Sequence, residues 1–278
     1  MKKFVVKRLL ISIVLLFFVS MIIYGIMRCM PASFVETKAM ELSQKPGAKS
    51  YEEWLQQLNA AYGLDDSVIQ GYFVWASKAI RGQFGDSWLY NQPVLQKFAS
   101  VIWYSFALGL ASFILEIIIA IPAGVAAARK QYSLTDYSIT VIALIGISLP
   151  SFFFATILKW IFAVKLNWLD LYGIVGRMHQ QLSPMGQFLD IAKHMIMPVL
   201  TLTIVSIGAL MRYTRTNMLE VLNADYIRTA RAKGLPEKKV INHHAFRNIL
   251  IPIITLLGGT LPSLFGGALI TETLFQIP

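Results

Sequence analysis

Five long apolar runs, which together contain a single charged residue, are the feature that most constrains the fold of this chain. They cover residues 9–27, 98–128, 137–158, 195–211 and 248–271. A helix needs roughly 20 apolar residues to cross the hydrocarbon core of a bilayer. Only 14% of the 278 residues are charged, against about 25% in soluble domains. The sequence therefore predicts an all-α, polytopic membrane helix bundle with five spans.

The basic residues lie beside the apolar runs, and this placement predicts the orientation. The net charge of +10 would suggest nucleic acid in a soluble protein, but clusters next to spans follow the positive-inside rule instead. Lys2, Lys3, Lys7 and Arg8 precede the first run. That run is longer than the apolar core of about 7–15 residues in a signal peptide. We therefore expect an uncleaved first span, a cytoplasmic N-terminus, contact with lipid and no nucleic-acid partner.

The distribution of polar residues divides the chain into three parts. Residues 1–29 form the N-terminal tail and first span, residues 30–97 an extracytoplasmic element, and residues 98–278 the membrane core. Within the core, residues 159–193 are expected to form an outer loop and residues 212–247 a cytoplasmic loop. Five spans from a cytoplasmic N-terminus place Pro278 outside, and we expect a sixth span that this sequence lacks.

The extracytoplasmic element contains two predicted helices. Ser50-x-x-Glu53 fits a capping box, in which each side chain satisfies a free backbone N–H of the other residue, and Gly63 is the expected stop. A second amphipathic helix is predicted from Val68 to near Gly82. The element is therefore expected to be folded.

The cytoplasmic segment 212–247 has the most informative local pattern. It carries eight Lys/Arg against three Asp/Glu. Asn223 or Asp225 is the expected cap of a short helix that runs to about Lys233. Gly234 tolerates the positive φ of a helix end, and Pro236 suits the start of a second short helix.

A solvated basic loop beside anionic lipid is the simpler interpretation of this segment. Tyr226, Ile227, Ala230 and Ala232 are too apolar for a fully solvated face. A short helix with a small-residue face and a fixed elbow favours docking into the groove of a partner protein.

The same segment, DYIRTARAKGL at residues 225–235, resembles the coupling loop of bacterial ABC-importer permeases. Arg228-Thr229-Ala230 stand where the family has E-A-A, Gly234 is its glycine, and residues 249–252 (ILIP) close the motif. Two departures from the general family pattern are typical of the dipeptide/oligopeptide/nickel subfamily: Arg228 replaces the glutamate of E-A-A, and the closing Pro252 comes later in the chain. The chain is similar to that subfamily along nearly its whole length, including 82–87 (GQFGDS) and 271–275 (TETLF), but 28–33 (RCMPAS) departs from the usual Pro-Gly-Asp.

The resemblance implies the fold of a type I importer permease and a division of labour among subunits. A second, related permease would complete the pathway, two ATPase subunits would hold ATP and Mg and grip the coupling loops, and an extracytoplasmic binding protein would deliver the solute. This chain would need no cofactor and would reside in the bacterial cell membrane. The resemblance assigns coupling to Asp225, Tyr226, Arg228, Thr229, Ala230, Arg231, Ala232, Lys233, Gly234 and Leu235. The expected solutes are di- or oligopeptides.

Three residues are candidates for the solute pathway. Glu116 is an ionisable group deep in a predicted span, where an unpaired carboxylate is costly; a structural hydrogen bond or protonation would explain it equally well. Pro150 should kink or break the third span because it removes a helix hydrogen bond. Glu272, near the outer membrane edge, has either a structural role or a contact with solute or binding protein.

Several chemistries find no support in the sequence. No G-x-x-x-x-G-K-[ST] string is present to cradle phosphate, and no Ser-His-Asp or paired-carboxylate pattern stands out, so enzymatic activity is not expected. The sequence predicts no metal site. It has one cysteine, His243 and His244 are adjacent in a predicted surface loop, and His179 and His194 are far apart in the chain. The alternative functions are a self-sufficient secondary transporter or channel, which often has internal repeats, and a receptor or scaffold.

Overall fold

The computed structural model describes residues 2–29, 34–62, 64, 67–87 and 89–278. The chain forms two compact units, Met1–Lys97 and Phe98–Pro278. The predicted functional division into 1–29, 30–97 and 98–278 stays a prediction.

The first unit is a set of helices followed by a small hairpin. Its elements are α1 (Lys2–Arg28), α2 (Phe34–Ser43), α3 (Tyr51–Tyr62), α4 (Val68–Ile80), β1 (Asp86–Ser87) and β2 (Gln92–Pro93), and the two strands pair antiparallel.

Helix α4 packs against α1 through aromatic residues. Tyr72 is buried, and its hydroxyl donates to the carbonyl of Phe17 at 3.2 Å and lies 2.8 Å from the hydroxyl of Ser20. The rings of Tyr24 and Trp75 lie beside it, with centroids 5.8 and 6.1 Å from the centroid of the Tyr72 ring. A buried tyrosine usually has a hydrogen-bond partner, and here the partners are on α1.

The local signals in this unit are confirmed. The backbone N–H of Ser50 donates to the Glu53 carboxylate at 3.1 Å, and the N–H of Glu53 donates to the Ser50 hydroxyl at 3.3 Å, which completes the capping box. Helix α4 ends just before Gly82, which has φ +77°. Gly63, the expected stop of α3, lies outside the described residues.

The second unit is helical throughout its core. Helix α5 (Val94–Arg129) begins four residues before the unit boundary and lies otherwise in this unit. The other elements are α6 (Leu134–Ser148), α7 (Ser151–Leu158), a π-helical stretch (Lys159–Lys165), a 3₁₀ turn (His179–Gln181), α8 (Pro184–Leu222), α9 (Asp225–Ala232), α10 (Glu237–Lys239), a second π-helical stretch (Val240–Ala245), α11 (Phe246–Thr260), a second 3₁₀ turn (Leu261–Phe265) and α12 (Leu269–Phe275).

Four helices of the described chain are long and apolar enough to cross a membrane, and a bent pair makes a fifth candidate. The four are α1, α5, α8 and the continuous helix Glu237–Phe265. The pair joins α6 to Ser151–Lys165 with a bend of 105°. Pro150 lies at this break, immediately before α7, so the predicted interruption of the third span is confirmed.

The prediction of an outer loop over residues 159–193 is wrong at both ends. Helix α7 continues as a π-helix to Lys165, and α8 begins at Pro184, nine residues before the expected end of the loop at 193. The Ser183 hydroxyl accepts from the N–H of Gly186, and Pro184 occupies the first turn, where its missing N–H has no cost. His243 and His244 likewise lie in a π-helix and not in a loop.

Helix α8 is the centre of the second unit, because α6, α7, α11 and α12 all pack against it. A Cβ on Gly208 would lie 2.2 Å from the carbonyl oxygen of Ala143, so α6 and α8 meet backbone to backbone. Close approach through small residues is typical of membrane helices. The guanidinium of Arg215 also holds the buried carboxylate of Asp136 with two hydrogen bonds of 2.5 and 2.7 Å.

Candidate functional site

The predicted coupling segment forms a short helix that is anchored on one face. Ile227 is fully buried and Ala230 is 6% exposed. They belong to one core cluster with Met218 of α8 and with Val240 and Ile249 of the following helix. Since tertiary packing supplies most of the stability of a short helix, these contacts fix α9 to the rest of the unit.

The opposite face of α9 is polar and exposed. The predicted coupling residues divide accordingly. Ala230 is buried and Leu235 half-buried, whereas the exposed ones are Asp225, Tyr226, Arg228, Thr229, Arg231, Ala232, Lys233 and Gly234. The unit's own core buries Ile227 and Ala230, and the assignment of Ala230 to coupling stays a prediction. Tyr226 and Ala232 stay accessible.

Two predicted details of the ends of α9 also need correction. The residue that precedes α9 is Ala224, with no side-chain cap, and Asp225 is the first helical residue. Asn223 closes α8 instead, where its amide donates to the carbonyl of Leu219. The second helix is not short: after Pro236 it continues from Glu237 to Phe265.

The elbow between the two helices is built as the sequence predicts. Gly234 has φ +72°, and a Cβ there would meet nothing within 4 Å, so backbone conformation and not crowding favours glycine. Arg231 and Glu237 form an ion pair of 2.8 Å across the elbow. The hydrogen bond from Arg231 to the Glu237 carboxylate raises the pKa of the arginine further, so both partners stay ionised and the ion pair stays formed.

A cavity of about 800 Å³ lies within the second unit. Helices α5, α8 and α11 and residues 267–271 line it, and Glu116 is part of its wall. The other two pathway candidates are placed differently. Pro150 is not among the lining residues, although its neighbour Ser151 is. The Glu272 carboxylate accepts a hydrogen bond from the N–H of Ala268 at 3.0 Å, and this hydrogen bond caps the start of α12.

A polar cluster near the start of α8 escaped the sequence reasoning. The Asp190 carboxylate lies 2.7 Å from Nδ1 of His179 and 3.4 Å from Nδ1 of His194, and the Asp170 carboxylate lies 3.2 Å from the ammonium of Lys193. The i,i+4 spacing of Asp190 and His194 on a helix could have indicated part of it. Among the described residues, no group of side chains is arranged to hold a metal ion.

Comparison with known proteins identifies the family. The family described as the inner membrane component of binding-protein-dependent transport systems matches residues 120–278, which include the elbow, and the corresponding N-terminal family matches residues 1–108. The chain belongs to this family. It is therefore the membrane component of such a system and not a catalytic subunit, and the predicted family and all-helical fold are confirmed.

Curated relatives cover the whole chain. It is 34% identical to the oligopeptide transport system permease protein AppB of Bacillus subtilis, 33% to OppB of Salmonella typhimurium, and 32% to the di/tripeptide permease protein DppB of Pseudomonas aeruginosa. Each alignment spans 100% of this chain and 84%, 84% and 85% of the relatives, respectively.

Proposed function

We propose that this chain is one permease subunit of an ATP-driven importer of di- or oligopeptides. The observation that carries the proposal is the exposed polar face of α9, which is fixed by its buried face and joined through Gly234 to a helix that reaches the cavity. The three relatives named above, which are peptide permeases by name, support peptides as the solute. Nothing comparable favours a self-sufficient transporter.

The geometry supplies a route from the elbow to the cavity. The helix Glu237–Phe265 begins three residues after Gly234, and its residues Leu256, Leu257 and Thr260 line the cavity. At 1.5 Å per residue, the distance from Glu237 to Thr260 is about 35 Å. A displacement of α9 by an ATPase subunit would therefore be carried by one continuous element to the cavity wall.

The proposal also assigns the partners. Two ATPase subunits would bind ATP and Mg and contact the exposed coupling residues of α9. A second, related permease would complete the pathway, and an extracytoplasmic binding protein would deliver the peptide. The N-terminus and the elbow would lie in the cytoplasm, since eight Lys/Arg occur in 212–247.

The decisive experiment replaces Gly234 with valine in the complete, reconstituted complex. A β-branched residue is strained at φ +72°, so the elbow should change its angle. We expect ATP hydrolysis to continue while peptide import per ATP falls at least tenfold. Gly47→Val is the matched control, because Gly47 also has a positive φ and open surroundings but lies outside the elbow. Coupled import at the wild-type ratio in Gly234→Val would contradict the coupling role.

Co-purification tests the partners independently. Tagged protein extracted in mild detergent from its own host should bring down P-loop ATPase subunits and a second permease. A chain that stays alone after cross-linking, and transports without ATP, would establish the secondary-transporter alternative instead.

A further inference from the structure

The cavity wall carries one ionisable side chain, Glu116, among the described residues that line it. The rest of the wall consists of small, apolar and hydroxyl-bearing residues, including Phe113 and Leu202. Its volume of about 800 Å³ falls in the range of small-molecule sites, roughly 300–1,000 Å³. A short peptide therefore matches the cavity in scale.

Four of the seven hydroxyl groups of the wall are left as hydrogen-bond acceptors toward the cavity. Ser112 donates to the carbonyl of Leu108, Ser206 to that of Thr203, Thr260 to that of Leu257, and Ser263 to that of Thr260, over distances of 2.6–3.2 Å. A hydroxyl has one proton and two lone pairs. The proton is already used within the helix or, at Ser206, is also directed at the Glu116 carboxylate, so each of these oxygens has only acceptor capacity left for a solute.

The charges around the cavity have the same sign. Glu272 lies next to the lining residue Gly267, since a Cβ at that glycine would be 3.5 Å from both of its carboxylate oxygens. Lys159 is not a lining residue; its ammonium donates to the carbonyl of Leu274 and lies over the ring of Tyr172. The wall thus combines a carboxylate with acceptors, and no lysine, arginine or histidine of the described chain lines it.

We propose that Glu116 makes passage selective for solutes that carry an ammonium group, either the free α-amino end of a peptide or a lysine side chain. In a site of low dielectric constant, a carboxylate attracts a cation and repels a second carboxylate far more strongly than in water. An ammonium also donates three hydrogen bonds and accepts none, which suits a wall of acceptors. This inference rests on the proposed function, since it takes the cavity as part of the import pathway.

The test measures ATP-dependent uptake by proteoliposomes that contain the complete complex, with the binding protein outside. Two peptide pairs test the ammonium: Ala-Lys-Ala against Ala-norleucine-Ala, which lacks only the side-chain ammonium, and trialanine against N-acetyl-trialanine, in which a neutral acetamide replaces the α-ammonium. The variant Glu116→Gln is compared with wild type for each peptide, so that the preference of the binding protein cancels. Glu220→Gln, the same change at an exposed position of α8 that does not line the cavity, is the matched control.

We expect Glu116→Gln to lower the uptake ratio of at least one pair threefold or more, whereas Glu220→Gln leaves both ratios unchanged. The pair that responds identifies the side-chain or the α-amino ammonium as the recognised group. A change of less than threefold in both pairs would overturn the inference and leave the importer function intact. Absence of ATP-dependent uptake of any peptide by the wild-type complex would instead refute the proposed function.

A second variant keeps the test decisive if Glu116→Gln does not assemble. Ser206 interacts with the Glu116 carboxylate across the cavity wall, so Ser206→Lys would neutralise that carboxylate in place. The same threefold loss of ammonium preference is expected, and retention of the wild-type ratios would count against Glu116.

Discussion

Helices α1 and α8 are both long enough to span a membrane, but they are used in opposite ways. The most apolar window of α1 has a mean hydropathy of 2.8, and none of it is buried inside the protein. The corresponding window of α8 reaches only 1.9, and half of it is buried. The buried Thr201 and Thr203 contribute to the lower value. In this chain, high hydropathy therefore marks a surface suited to lipid, and moderate hydropathy marks the helix around which the others pack.

The strongest test of this contrast is removal of the arginine through which α8 forms an ion pair with α6. Arg215→Met leaves the carboxylate of Asp136, 3% exposed, without its cation. Loss of one partner of a buried pair costs about 3–5 kcal/mol, and we expect a loss of that size in the free energy of unfolding measured by SDS titration. The exposed pair Lys38–Glu41 in the first unit is the control, and Lys38→Met should leave the midpoint unchanged. The double variant Arg215→Met/Asp136→Leu should recover most of the loss.

The next test compares equal truncations of the two helices. Leu210 of α8 is 1% exposed and Leu16 of α1 is 69% exposed. Leu210→Ala should lower the free energy of unfolding by about 2–4 kcal/mol, because it leaves a cavity in the core. Leu16→Ala should change it by about 0.5 kcal/mol or less. Equal losses at the two positions would show that α1 is as tightly packed as α8.

A smaller difference is expected from the addition of one methyl group. Gly208→Ala brings a Cβ against the backbone of α6, and such overpacking costs about 1–3 kcal/mol. Gly25 of α1 has nothing within 4 Å of its Cβ position. Gly25→Ala should therefore be neutral or stabilise by up to about 1 kcal/mol through helix propensity. The unfolding midpoint should drop for Gly208→Ala and stay unchanged or rise for Gly25→Ala, and a drop for Gly25→Ala would contradict the open surroundings of α1.

The smallest effect concerns a helix of the first unit that depends on local hydrogen bonds. Ser50→Ala removes the side-chain half of the capping box and should cost about 1 kcal/mol in the stability of α3. Amide hydrogen exchange should rise at the first turn of α3 and stay unchanged in α8. Ser50→Thr, which keeps the hydroxyl, should restore the slow exchange.

Much of the fold follows from local patterns in the sequence. The five apolar runs, the break at Pro150, the Ser50–Glu53 capping box and the positive φ of Gly234 all depend on residues close together in the chain. The motif that resembles the coupling loop was found for the same reason. The burial of Ile227 could not be found in this way, because an exposed docking face and an anchored face have the same 3.6-residue period.

The early start of α8 has a physical cause, which is polar residues that satisfy one another. Asp190 and Lys193 lie in the expected loop 159–193, but in the structure they pair with His179, His194 and Asp170. A helix can therefore include them. The position of Glu116 in a cavity wall was equally inaccessible, since it depends on which face of α5 meets α8 and α11.

The ion pair between Asp136 and Arg215 has a consequence for biosynthesis. Its partners are 79 residues apart, so at about 5–20 residues per second the ribosome needs on the order of 10 s to supply the arginine after the aspartate. During that interval α6 carries an uncompensated carboxylate. Asp136 lies in the first turn of α6, next to the Ser133 cap, where the free N–H groups of the helix N-terminus stabilise its charge. The helix N-terminus thus holds this carboxylate until α8 emerges and supplies the arginine.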